Sequence, residues 1–125
     1  MKNIYPLLEA VKSNLESLEI FKSLKIGLER GIKSINTPFC RIVVENIEHK
    51  GVRSLVTIQI VIAFDIKNDI EKLYKEFFEV EYKIKNNLFS LPYKVNILNS
   101  ITDEDRLANL KAGIIRVVLE DISGN

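Results

Sequence analysis

The sequence holds a single cysteine, Cys40, and a single histidine, His49. One cysteine makes no internal disulfide, which suits a reducing compartment. One cysteine and one histidine cannot assemble a Cys/His metal site. The glycines at 27, 31, 51, 113 and 124 form neither a GxGxxG turn nor a P-loop, so these phosphate-cradling motifs are missing. A Ser-His-Asp or Cys-His arrangement would have to recruit His49 from the middle of a turn. Charge of one sign is also missing. With 18 basic and 17 acidic side chains the net charge is +1, so no global field holds nucleic acid or an anionic membrane. The longest apolar run, Ile60 to Phe64, is far short of the roughly 20 residues a membrane helix needs. Near the N-terminus Pro6 and Glu9 break the apolar stretch before a signal-peptide core could form, so the chain is expected to stay in the cytoplasm.

What is present suits a globular domain. The 125 residues are 46% hydrophobic and 28% charged, which argues against disorder. This length gives room for one domain, 1–125, that buries about two thirds of its extended surface.

Periodicity then supplies the elements. Ile4, Leu7, Leu8, Val11, Leu15 and Leu18 share a helical stripe, with Pro6 tolerable only in the first turn. Leu24, Ile26 and Leu28 alternate with Lys25 and Gly27, which suggests a short weak strand, while Leu15, Leu18, Lys22 and Lys25 offer the alternative of a longer first helix. Phe39 to Ile47 reads as a strand with Cys40, Ile42 and Val44 on one face. Phe39, Arg41, Val43, Glu45 and Ile47 fall on the other. After a turn at His49-Lys50-Gly51, every second residue from Val56 to Ile66 is apolar, the strongest periodic signal in the chain. Asn68-Asp69 reads as a helix N-cap before a stripe of Ile70, Leu73, Tyr74, Phe77, Val80, Ile84 and Leu88. Tyr93, Val95 and Ile97 form a strand, Ser100 to Asn109 a charged loop or turn of helix, and Ile114 to Ile122 a last strand. The order α-β-β-β-α-β-β predicts an α+β fold: a mostly antiparallel sheet with both helices on one face.

Few side chains stand out chemically. Cys40 shares its parity with Ile42 and Val44, as a small buried apolar residue would. Glu81 falls inside the apolar stripe of the second helix. Lys85 at i+4 offers it a snorkelled surface pair within the helix, an ion pair across a subunit interface is the second reading, and a catalytic acid the third. Asp103, Glu104, Asp105 and Arg106 cluster without the spacing of a Ca²⁺ loop. Lys50 and Arg53 are too few for a nucleic-acid patch. Thr57, Gln59, Val61 and Asp65, continued by Arg41, Glu45, Arg116 and Glu120, make a face too polar for a core and too apolar for plain solvent. The His49–Ser54 turn and the Ser100–Lys111 loop hold few apolar anchors. They are expected to be mobile alone and ordered by partners, with His49, Lys50, Arg53, Asp103, Asp105 and Arg106 as contacts.

The succession of elements supplies a resemblance. An amphipathic helix precedes Thr37-Pro38-Phe39-Cys40-Arg41-Ile42, and the long strand Thr57–Asp65 follows. An aromatic-bearing helix, the acidic loop at Ser100–Arg106 and the closing strand Ile115–Glu120 complete the series. Over nearly the whole chain this resembles the tail terminator (minor tail, tail completion) proteins of tailed bacteriophages, including the lambda-type terminator. The resemblance implies a non-enzymatic, cofactor-free protein that forms a homo-oligomeric ring, commonly hexameric, on the last ring of the tail tube. Such a ring stops polymerisation and offers a surface for head joining. The implied partners are the tail tube protein and a head–tail connector protein, with no membrane and no sequence-specific nucleic acid. The implied location is the bacterial host cytoplasm during assembly, then the virion tail. Two other readings stand beside it. One is an unrelated small α+β interaction or ligand-binding domain, which a deep apolar pocket would mark. The other is a small enzyme using Glu81 or His49.

Overall fold

The computed structural model describes residues 3–30, 37–65, 69–103 and 110–121. Helix α1 spans Tyr5–Glu16, with Pro6 in its first turn where its missing N–H costs nothing. Strand β1 is short, Ser23–Ile26. Strands β2 (Phe39–Lys50) and β3 (Arg53–Asp65) form a long hairpin. Its turn is only Gly51 and Val52, and Gly51 takes φ +64°, a left-handed conformation that glycine enters without steric cost. Helix α2 runs Ile70–Leu88, and the Asp69 carboxylate accepts the Lys72 N–H at 3.2 Å as its N-cap. Strands β4 (Lys94–Thr102) and β5 (Leu110–Asp121) complete an α+β fold in the expected order α-β-β-β-α-β-β.

The five strands lie in the order β1-β2-β3-β5-β4. Every neighbouring pair is antiparallel except β1 with β2, which is parallel, a detail that alternation alone does not carry. Both helices cover one face. Leu7, Val11 and Leu15 of α1 and Leu73, Phe77, Ile84 and Leu88 of α2 pack with Cys40, Ile42, Ile58, Ile60, Ile62, Ile115 and Val117 in one buried cluster. Each such aliphatic side chain contributes roughly 1.5–3 kcal/mol by leaving water. The period-two and period-3.6 stripes therefore meet where the sequence predicts.

Several boundaries differ from expectation. A bulge between Val44 and Asn46 shifts the register of β2. Ile47 therefore pairs with Val56 on the helix-bearing face rather than on the far face with Glu45. Most of the expected His49–Ser54 turn is strand, and Ser54 is buried. The expected loop from Ser100 likewise begins as the end of β4, and Lys111 already belongs to β5. Ile70 and Tyr74 were expected on the core stripe, but Ile70 is exposed and Tyr74 only half-buried. Ile66, Asn68, Glu104, Asp105, Arg106 and Ile122 lie outside the described residues.

Candidate functional site

Among the described residues no helix covers the far face of the sheet. Its centre is polar. Arg116 on β5 donates from Nε to Glu45 Oε1 at 2.9 Å and from Nη2 to Oε2 at 2.7 Å, a bidentate pair. Gln59 on β3 donates from Nε2 to the same Oε1 at 2.9 Å. The register explains the meeting: Gln59 lies opposite Arg116, and the β2 bulge swings Glu45 over both. The Arg116 guanidinium first, and Gln59 second, hold the Glu45 carboxyl at about 2, well below the usual carboxylate range. The Arg116 pKa is raised in turn by the same carboxylate. Half-buried Val43, Thr57, Val61, Ile114 and Val118 surround this trio. Its charges answer each other, so the face offers a partner shape and apolar area more than free charge.

Arg41 has the far-face parity, yet it is 1% exposed. Its Nε and Nη2 donate to the Glu29 carboxylate at 2.6 and 3.2 Å, and further bonds reach the Ser23 hydroxyl and the Ser23 and Cys40 carbonyls. The Phe39 ring lies 5.2 Å away. Arg41 thus clamps the segment after β1 onto the sheet, and it offers no surface to a partner. Hydrogen bonding from Arg41 pulls the Glu29 carboxyl down to about 2.

The other predicted contacts scatter. Glu120 meets Arg53 at 3.0 Å beside a cleft of about 530 Å³ lined also by Leu91, Pro92, Tyr93, Lys94 and Asp121. This cleft is open and charge-rimmed, unlike a deep apolar pocket. At the hairpin tip His49 Nδ1 lies 3.1 Å from Ser54 Oγ, and exposed Lys50 meets Glu48 at 3.5 Å. Glu81 pairs with Lys85 within α2 at 2.9 Å, as the first of its three readings expects, but it is buried rather than on the surface. Burial pushes the Cys40 thiol up to about 12.

Two features escaped the sequence reading. Lys111 is buried, donating to Asp103 Oδ1 at 2.9 Å with its ammonium 4.7 Å from the Tyr74 ring centre. Asp103 Oδ2 also accepts the Ala112 N–H at 2.8 Å, so this expected loop contact is fastened to β5. The parity that Lys111 shares with Ile115, Val117 and Leu119 was the available signal. The second feature is an aromatic ridge on α2. Tyr74 and Phe78 stack at 6.2 Å and Tyr82 follows at the same four-residue spacing, with Phe78 47% and Tyr82 66% exposed.

Among the described residues no three metal-ligating side chains gather, and no helix is long and apolar enough to cross a membrane. The chain matches no known family model, and no curated protein matches it closely enough to be called a relative.

Proposed function

We propose that this chain is a tail terminator, or neck or tail completion protein, of a phage or prophage. In this reading it is a non-enzymatic subunit that assembles into a ring, caps the tail tube, stops its growth and carries the head-joining surface. The observation that supports it best is the one-sided sheet. Both helices lie on one face, while the opposite face keeps half-buried apolar residues around an internally neutralised Glu45–Arg116–Gln59 centre. A subunit that must meet several neighbours needs such uncommitted, moderately apolar area, and heterologous contacts between copies close into rings. The reading places Glu45, Gln59 and Arg116 at or beside protein contacts, with Arg53 and Glu120 at one end of the sheet. The test is direct. Adding the purified chain to polymerising tail tube protein from the same phage should arrest elongation and leave a ring on one tube end. Tubes that grow on unchanged, with no cap, would refute the proposal.

A further inference from the structure

Among the described residues the sheet ends in two edge strands with no further strand beside them, and these two edges are complementary. β1 covers only Phe39–Ile42 of the twelve residues of β2, which leaves the outer edge of Val43–Lys50 without a neighbour among the described residues. At the opposite end β4 has β5 on one side and no described strand on the other. Exposed strand edges are normally guarded by lysine, proline or an inward charge. After its first residue, Lys94, β4 has no charged residue and no proline, although a bulge lies between Ile97 and Asn99; the free part of β2 has its own bulge and carries Glu45, Glu48 and Lys50.

The helix-bearing face repeats the match. Asn87 of α2 donates to the Asn14 carbonyl of α1 at 2.7 Å. Phe78 stands nine residues before Asn87, about two and a half turns, so it points away from α1. Tyr74, on the same ridge, lies over Lys111 of β5, which joins Asp103 at the end of β4. The Phe78–Tyr82 ridge thus lies on the side of α2 away from α1, and its Tyr74 end lies over Lys111. At the other end Val44 pairs with Ile58 and Ile47 with Val56, so both point to the helix-bearing face, and both are 38% exposed. Each end thus carries an open strand edge and uncovered apolar side chains on the same face.

Strand direction fits too. β2, β3, β5 and β4 alternate in direction, so β2 and β4 run opposite ways. Rotation about an axis parallel to the strands would set β4 of one copy antiparallel beside β2 of the next.

We infer that the β4 edge, with the Phe78–Tyr82 ridge, receives the Val43–Lys50 edge of a second copy, whose Val44 and Ile47 pack on the ridge. This rests on the reading of the chain as a self-assembling subunit, and it names the surfaces that join. The contact is heterologous, so every open assembly keeps one free end of each kind until a ring closes.

Sedimentation velocity on the full chain tests it with two variants, Tyr82→Glu at the β4 end and Ile47→Glu at the β2 end. Wild type should assemble beyond a dimer. Each variant alone should be monomeric, its self-association weakened about ten-fold or more by a charge at the contact centre. A one-to-one mixture should form heterodimers and stop there, because one intact junction remains. Thermal melts establish that both variants fold, and Phe78→Glu replaces Tyr82→Glu if that variant does not. A monomeric wild type, or variants that assemble like wild type, would overturn the inference. So would a dimeric Ile47→Glu beside a monomeric Tyr82→Glu, since that pattern means β4 pairs with β4. Edge-joined assemblies that leave tube growth unchanged would refute the tail-capping function alone. Capping by a chain whose variants still assemble would refute the edge contact alone.

Discussion

At Gly113 the sheet lies close against α2, and Gly113→Ala should show it. A Cβ there would collide with the Phe77 ring Cζ and lie 3.2 Å from the Ile101 carbonyl oxygen. The ring has no easy escape. It is 1% exposed and meets Phe64 edge-on at 5.8 Å and Phe78 at 5.4 Å. The β5 backbone cannot yield either, because β3 and β4 pair with it on both sides. Overpacking of this kind costs about 1–3 kcal/mol. Alanine recovers roughly 0.5–1 kcal/mol of that by restricting the unfolded chain. At the centre of these two ranges the net loss is about 1 kcal/mol, or roughly 4 °C in Tm for a domain of this size. Guanidinium unfolding should show a lower midpoint with an unchanged slope. In a Phe77→Leu background, where no ring edge blocks the site, the Gly113→Ala penalty should nearly vanish, a coupling of about 1 kcal/mol. An unpenalised Gly113→Ala, or an equal penalty in both backgrounds, would refute this packing.

Other expectations concern charge and core. Ile60→Ala, fully buried beneath both helices, should cost about 2–5 kcal/mol in the same unfolding assay. Glu29 and Glu45 have folded pKa values near 2, below their unfolded values near 4.5. Their contribution to stability is therefore full above pH 4.5 and lost as pH falls toward 2, so Glu29→Gln with Glu45→Gln should flatten the acid limb of a Tm-against-pH curve. Cys40 has a raised folded pKa, so stability should begin to fall above the unfolded thiol value of 9.0. Native protein should also resist a thiol reagent that labels the denatured chain at once. Arg116→Glu should lower the denaturation midpoint by setting two carboxylates together, and adding Glu45→Arg should restore it.

Much of the fold was legible because the two periods are clean. Alternation from Val56 to Phe64 and the stripe Leu73–Phe77–Ile84 each leave one way to bury their apolar residues. What the sequence concealed lay where a local irregularity changes the register. The bulge at Glu45 turned Ile47 to the helix face and brought Glu45 onto Arg116, and no alternation rule marks a bulge in advance. Arg41 read as an exposed face residue, because its partner Glu29 lies twelve positions back and meets it only through the β1 connection. The weak β1 was found but not its parallel pairing, which depends on the path of the chain rather than on pattern. Of the candidate contacts, Gln59, Glu45 and Arg116 converge, while Arg53, Glu120 and His49 lie apart. Phe78 and Tyr82 went unnoticed because the ridge they form with Tyr74 runs beside the core stripe.

The most direct test of the proposed tail-capping function is to delete the gene and measure the tail-length distribution of the particles that its host genome produces. The account predicts tails of uncontrolled, overlong length with no heads attached, restored by the wild-type chain supplied in trans. Tails of normal length joined to heads in the deletion strain would contradict it.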